Sequence, residues 1–197
     1  MFLDHSIPSK SGRLSLVPPV ESDDPAVAVV RSHRLTRQYL RFFPESVSVA
    51  DATARRLSRQ ADHSLVDFHI HTSDGEFVGT TGIFGIDNEM RFCEVGILIA
   101  PERARGGLAT DALFTVLQYA FETRGMHRAE FHTDAENTPM RGWLDTAGAT
   151  LEGTRRSVWP DHSTGGWSDA CIYAILEHEW KSVVKGRLEQ RIFAKST

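Results

Sequence analysis

The chain has 197 residues and a formal net charge of −4, from 22 basic and 26 acidic residues. This length suits one domain with a sizeable core, and a composition of 41% hydrophobic and 24% charged residues is typical of globular proteins. A mildly acidic chain that lacks basic patches interleaved with aromatic residues does not favour nucleic-acid binding, which depends on neutralising phosphates. The charge balance favours a cationic ligand such as an amine.

The sequence contains no signal for a membrane or for secretion. Its apolar runs are all shorter than the about 20 residues that a spanning helix needs, and its N-terminus lacks the pattern of a signal peptide. Cys93 and Cys171 lie inside apolar, strand-like runs and are interpreted as core residues in a reducing compartment. We therefore expect a cytoplasmic protein with no membrane association.

Hydrophobic periodicity in the first half of the chain predicts four strands and two helices. In order they are a strand over 13–17, a helix that has Pro25 in its first turn and extends to Leu35, a helix over 49–60, and strands over 65–71, 76–85 and 91–100. Ser22 or Asp23 can cap the first helix, and Ser48 the second. Asp74-Gly75 predicts a hairpin turn.

The second half alternates helices and strands. An amphipathic helix begins after Gly107 and ends at Gly125, because its apolar residues recur with a period of 3.6. It is followed by a strand over 128–133, a helix over 137–147, strands over 149–159 and 168–176, and a helical tail. The tail has an apolar stripe that suits either packing on its own domain or a homodimer contact: Trp180, Val183, Val184, Leu188 and Ile192. This order predicts an α/β (α+β) fold, with a mixed sheet of about seven strands flanked by helices.

Residues 94–112 (EVGILIAPERARGGLATDA) have the pattern of a ligand site. An apolar strand ends at Pro101, and a polar turn with two glycines leads into the strong helix. Glycines let backbone N–H groups approach a ligand, and a helix N-terminus favours anions, so the turn suits a pyrophosphate. A plain turn is the alternative. The glycine-rich sequence motifs of a dinucleotide-binding fold and of a P-loop do not occur.

Within this segment, Glu94-Val95-Gly96, Ala100-Pro101-Glu102 and residues 107–112 (GLATDA) resemble the coenzyme A motif of GNAT N-acetyltransferases. The resemblance is strongest to the RimJ/RimL-like branch, the ribosomal-protein N-terminal acetyltransferases. Residues 79–82 (GTTG) and 134–137 (DAEN) are similar to further elements of that branch. The resemblance extends over about residues 13–180, which predicts one acetyltransferase domain between an N-terminal arm (1–12) and a helical tail (181–197).

The resemblance implies acetyl-CoA as cosubstrate and an amine as acceptor: a small molecule, an amino acid or a peptide N-terminus. No metal is expected, because the sequence identifies no third ligand beside His69 and His71. It implies that main-chain groups near Leu98 and Ile99 pair with the pantetheine arm and that Asn137 hydrogen-bonds it. The amides implied to cradle the pyrophosphate are those of Arg105, Gly106, Gly107, Leu108 and Ala109.

Two departures from the family pattern accompany these expectations. Ala104 and Arg105 replace the customary residues of the loop, so the side chain of Arg103 or Arg105 is expected to contribute to phosphate binding. Met140 stands where the family usually has a serine that protonates the leaving thiolate. The alternative to an active enzyme is therefore a CoA-binding module that has lost catalysis.

Glu94 is the candidate general base. A lysine-like amine has a pKa of about 10.4, so nearly all of it is protonated at pH 7 and a base assists its attack. Glu94 is an acidic residue in an otherwise apolar strand, where burial would raise its pKa. Its alternative role is that of a structural carboxylate paired with an arginine.

Candidates for the acceptor side are less specific. His69 and His71 share one face of a strand and can flank the acceptor or pack on the sheet, and no third metal ligand is identifiable. Trp159 and Trp167 bracket a polar loop and can wall the acceptor site. Three carboxylates are possible partners of a cationic substrate: Asp67, Asp161 and Asp169.

Overall fold

The computed structural model describes residues 3–104 and 106–194. Its centre is one eight-stranded sheet in the order β1-β2-β3-β4-β5-β6-β8-β7. The strands are β1 (Ile7–Pro8), β2 (Leu14–Val17), β3 (Val66–Thr72), β4 (Phe77–Asp87), β5 (Phe92–Ile99), β6 (Arg128–Asp134), β7 (Thr150–Asp161) and β8 (Gly166–Leu176). The helices are α1 (Asp24–Ser32), α2 (Arg34–Arg37), α3 (Val49–Gln60), α4 (Leu108–Gln118), α5 (Thr138–Ala147), α6 (Glu177–Glu179) and α7 (Lys185–Phe193).

The β5–β6 pair is the one parallel pair in the described sheet, and it is short. Its register runs from Phe92↔Arg128 to Glu94↔Glu130 and then stops. Both strands continue for several residues beyond this point, to Ile99 and to Asp134. The two strands therefore diverge in the middle of the sheet and leave a gap between their carboxyl ends.

Different helices pack on the two faces of the sheet. Alternation along β3 places Phe68 and Ile70 in the main core under α4, while Asp67, His69 and His71 face α1 and α3. The side of α1 and α3 is held by polar contacts, in which Asp24 accepts from Arg56 Nε at 3.0 Å and from Thr53 Oγ1 at 2.7 Å.

The helical tail packs on its own domain. Trp180 is fully buried, and its ring stacks on Phe121 at a centroid distance of 5.5 Å. Val184, Leu188 and Ile192 join the same core, whereas Val183 is 41% exposed. The first of the two uses predicted for the stripe is confirmed. The homodimer contact and the division of the chain at residues 12 and 180 stay predictions.

The predicted fold class is confirmed, and most predicted elements agree with the structure within about two residues. α3 has the predicted bounds, with Ser48 and Asp51 forming a capping box. The sheet has eight strands rather than about seven, because the two-residue β1 is too short to give a pattern. No helix within 3–104 and 106–194 is long and apolar enough to cross a membrane.

The first predicted helix has its predicted start, with Asp23 at the N-cap position and Pro25 in the first turn, but its predicted end at Leu35 is wrong. It begins at Asp24 and ends at Ser32, because His33 is extended and its Nδ1 accepts from Leu35 N at 3.1 Å to begin α2. Asp23 occupies the N-cap position of α1 but makes no side-chain cap bond, since both imidazoles of β3 contact its carboxylate.

Burial of the tail gives a first prediction. Leu188→Ala should lower the free energy of unfolding by about 2–5 kcal/mol, because it leaves a cavity beside α4. Val183→Ala, on the exposed side of the same segment, should change it by about 0.5 kcal/mol or less. Urea unfolding of both variants at one pH measures the difference. Equal losses would show that the tail does not share the core.

Candidate active site

A cavity of about 920 Å³ opens where β5 and β6 diverge. Its walls on the strand side are the ends of β5 and β6 and the start of α5. The lining residues from these elements are Glu94, Val95, Gly96, Ile97, Leu98, Ile99, Phe131, His132, Thr133, Asn137, Pro139 and Met140. Asn137, which is distant in the sequence, thus borders the same space as Glu94, Leu98 and Ile99 of β5.

Two glycines of β4 and β5 permit this geometry. A Cβ on Gly79 would lie 2.1 Å from the carbonyl oxygen of Leu98, so any side chain there would push β4 away from β5. A Cβ on Gly96 would lie 2.7 Å from Cε2 of Phe84, whose ring covers that position. The sheet is therefore tight on the β4 side of β5 and open on the β6 side.

The turn before α4 has the conformation of an anion site. Gly107 is the N-cap of α4 with φ +82°, a left-handed conformation that favours glycine. The N–H groups of Leu108 and Ala109 follow it at the helix N-terminus, where no intrahelical acceptor exists. Gly106 is exposed beside them. Arg105 lies outside the described residues.

The side chain of Arg103 is engaged by Glu76 across the surface. Its expected contribution to phosphate binding requires this ion pair to open. Two other contacts support the turn. Ser9 Oγ in the N-terminal arm donates to Asp111 Oδ2 at 3.0 Å, and Arg13 Nη1, just after the arm, donates to Gly106 O at 3.5 Å. Because Asp111 is fully buried in the first turn of α4, the arm fixes the start of that helix.

Asn137 joins β6 to α5 at the other edge of the gap. Its Oδ1 accepts from Met140 N at 3.2 Å as the N-cap of α5, and its Nδ2 donates to Thr133 Oγ1 at 3.0 Å. An amide NH₂ has two hydrogens, so one donor remains for a ligand. Met140 lines the cavity with a thioether, which has no proton to donate.

Glu94 is the last residue of β5 that pairs with β6. Its side chain is 37% exposed and lines the cavity. Burial raises the pKa of Glu94 above its ordinary value. Glu130 acts in the same direction, while His132 and Arg155 oppose the shift. A carboxylate with a raised pKa at the edge of a cavity is a suitable proton acceptor near neutral pH.

His132 is a site residue that the sequence reasoning missed. Its Nδ1 lies 3.4 Å from Glu94 Oε2, and its Nε2 lies 3.2 Å from Glu130 Oε2. The alternation of Arg128, Glu130 and His132 along β6 was visible in the sequence. The parallel pairing that brings this polar face beside Glu94 was not.

His69 and His71 both contact Asp23, at 2.7 Å from His69 Nδ1 and from His71 Nε2 to the same carboxylate oxygen. Asp23 is the third potential ligand that could not be identified from the sequence, and the three groups place ligand atoms within 4.8 Å of one another. As observed, the carboxylate ties the start of α1 to β3. Burial lowers the pKa of His69, and Asp23 opposes that shift. His69 lines the cavity; that no metal is needed stays a prediction.

Trp159 and Trp167 lie in different environments. Trp159 lines the cavity and packs on Phe42 at a centroid distance of 5.1 Å. Trp167 is 66% exposed and is not part of the cavity wall, so this placement does not support its expected role.

Comparison with known proteins identifies the fold's family. Residues 13–150 match the family described as "Acetyltransferase (GNAT) domain". The chain belongs to this family. Its relatives include YdaF of Bacillus subtilis, provisionally named a ribosomal N-acetyltransferase, at 24% identity over 85% of this chain and 92% of YdaF. YnaD of the same organism, an uncharacterized N-acetyltransferase, is 24% identical over 72% of this chain and 82% of YnaD.

Solved structures of the family superpose closely. RimJ of Mycobacterium smegmatis, in complex with CoA-disulfide, is 26% identical with a TM-score of 0.76, over 94% of this chain and 92% of that one. Spermidine N-acetyltransferase of Vibrio cholerae, in complex with CoA and spermine, is 20% identical with a TM-score of 0.79, over 86% and 99%. The protein is thus an acetyltransferase of a family that uses acetyl-CoA.

The turn at α4 generates a second prediction. Acetyl-CoA at 100 times its dissociation constant should stabilise the protein by about 2.7 kcal/mol, or about 5–10 °C in Tm. Gly107→Glu should abolish this stabilisation, because a side chain and a negative charge would oppose a diphosphate at the helix start. The matched control is Gly142→Glu, at an exposed position of α5 with open space around it. Thermal unfolding with and without acetyl-CoA measures both, and tight binding by a folded Gly107→Glu variant would contradict the prediction.

Proposed function

We propose that this enzyme transfers the acetyl group of acetyl-CoA to the nitrogen of an amine by direct attack, with Glu94 as the general base. The acceptor is a small-molecule amine, an amino acid or a peptide N-terminus. The observation that carries the proposal is the position of Glu94. It stands at the point where β5 and β6 part, beside the cavity, with a pKa raised by burial.

The gap fits the shape of the cosubstrate. Beyond Glu94, the edge of β5 that faces β6 has no partner strand among the described residues, so main-chain groups near Leu98 and Ile99 can pair with the pantetheine amides. Asn137 borders the opposite edge with one free donor. At the end of the gap, the amides of residues 105–109 are proposed to bind the pyrophosphate.

The proton on the amine is the main chemical obstacle. An ammonium cannot attack, and Glu94 is proposed to accept its proton as the nitrogen approaches the thioester carbonyl. His132 is adjacent and can share the proton with Glu94. The thioester supplies an electrophilic carbonyl and a thiolate leaving group.

Loss of the customary serine is compatible with this chemistry. A thiol has a pKa of about 8.5, so a thiolate departs near neutral pH without a dedicated acid. Met140 therefore removes a proton donor without removing the reaction. A CoA-binding module without catalysis would show acetyl-CoA binding and no transfer to any amine.

Glu94→Gln tests the base directly. The change keeps the shape of the side chain, so acetyl-CoA should still raise the Tm, but the rate at saturating acceptor should fall about 10²–10⁴-fold. The wild-type rate should rise with pH as Glu94 deprotonates, and the deficit of the variant should shrink at high pH, where the amine is already neutral. Rate against pH for both proteins, by CoA release, measures this.

The exposed Glu89→Gln serves as the control for loss of one negative charge.

The free energy of unfolding gives an independent test of the role of Glu94. A carboxyl whose folded-state pKa is raised loses its stabilising contribution as pH rises above its ordinary value of 4.5. Glu94→Gln should therefore be at least as stable as wild type at pH 7. A variant with wild-type rate near pH 7, or with a large loss of stability there, would assign Glu94 a structural role.

A further inference from the structure

The cavity extends from the β5–β6 gap to α1 and α3, where its wall is rich in arginine. Four guanidinium groups line this half: Arg31, Arg55, Arg56 and Arg59. Two of them are neutralised, since Arg56 binds Asp24 through Nε and Nη2, each at 3.0 Å, and Arg59 binds Asp67.

Arg31 and Arg55 have no carboxylate partner within the part of the chain that the structure describes. Arg31 lies over the ring of Phe43, 4.0 Å from its centroid, which fixes the guanidinium plane and leaves its edge donors available. Burial, with Arg55 and Arg59 nearby, lowers the pKa of Arg31 to about 10. Burial and Arg59 also lower the pKa of Arg55. Both remain cations at neutral pH, and their charges crowd one another.

The three carboxylates expected to hold a cationic substrate already have other hydrogen-bond or ion-pair partners. Asp67 is paired with Arg59. Asp161 is buried and accepts from Arg41 at 3.1 Å, and Asp169 accepts from Ser157 N at 2.7 Å. Neither Asp161 nor Asp169 lines the cavity. The acceptor side therefore offers uncompensated positive charge.

The arginines and Glu94 line this space from different elements, the arginines from α1 and α3 and Glu94 from β5. Asp67, which pairs with Arg59, is opposite Gly82, and Gly82 is opposite Gly96, so two strand spacings separate Asp67 on β3 from β5. With neighbouring strands about 4.8 Å apart, that distance is on the order of 10 Å. It corresponds to about three residues of extended peptide.

We infer that the acceptor is an amine that also carries a carboxylate or phosphate about 10 Å from the reacting nitrogen, and that Arg31 and Arg55 bind this anionic group. This rests on the proposed acetyl transfer at Glu94. A free α-amino acid is too short to bridge the two ends, and a polyamine has the wrong charge for the arginine side. A peptide N-terminus with an acidic or phosphorylated third residue has both the length and the charge.

The test compares amidated tripeptides that differ in the third side chain: Ala-Ala-Glu, Ala-Ala-phosphoserine, Ala-Ala-Gln and Ala-Ala-Lys, with spermine and free glutamate alongside. CoA release should give a kcat/KM at least tenfold higher for the glutamate tripeptide than for its glutamine counterpart, and lower values for lysine and spermine. The phosphoserine arm distinguishes phosphate from carboxylate as the better ligand. The preference should weaken as salt is raised.

Arg55→Gln should raise KM for the acidic tripeptide about tenfold or more while leaving kcat and the glutamine tripeptide unchanged. Arg55→Lys should recover part of the loss, and Arg34→Gln, exposed and outside the cavity wall, should change nothing. Arg55 is the primary variant because Arg31→Gln also removes the Phe43 contact. Retained stabilisation by acetyl-CoA reports an intact fold.

Calorimetric binding of the same tripeptides in the presence of CoA separates this inference from the proposed function. Turnover without an acidic preference, or with a preference for lysine or spermine, overturns the inference and leaves acetyl transfer standing. Arg55-dependent binding of the acidic tripeptide without turnover supports the anion site and contradicts the proposed catalysis. Absence of both binding and turnover overturns the inference as well.

Discussion

The divergence of β5 and β6 is the constraint on which the rest of the site depends. A parallel ladder of only three residue pairs holds the two halves of the sheet together, and past Glu94 the facing edges of the two strands have no partner strand within residues 3–104 and 106–194. Unpaired main-chain groups are tolerated only where water or a ligand reaches them. In the chain, α4 follows β5 and α5 follows β6, and the start of α5 lines the cavity.

Charged residues of one sign are clustered in parts of this protein, and the net charge of the chain does not show this. The chain is acidic overall, yet the half of the cavity under α1 and α3 contains four arginines. On the opposite side, Glu94 is partly buried with a raised pKa. Arg31 and Arg55, which have no carboxylate partner among the described residues, and the partly buried Glu94 are less favourable in the unliganded fold, because burial of a charge removes hydration. Such groups are common where a ligand supplies the missing partner.

Local signals in the sequence were sufficient for much of this structure. Ser48 and the spacing after it predicted α3 with its bounds, and the change of period after Gly107 predicted where α4 begins. What the sequence could not give arises from contacts between distant segments. The break at His33, the bridge from Asp23 to β3, and the proximity of His132 to Glu94 each depend on tertiary pairing that periodicity does not encode.

Amide hydrogen exchange with and without saturating acetyl-CoA tests the central claim most directly. If the ligand pairs with the free edge of β5 and binds the start of α4, protection should increase for residues 95–99 and 106–109. It should change little over residues 69–72 of β3, which already pair with β2 on one side and lie beside β4 on the other. Protection confined to other segments, or no change at the end of β5, would contradict the account.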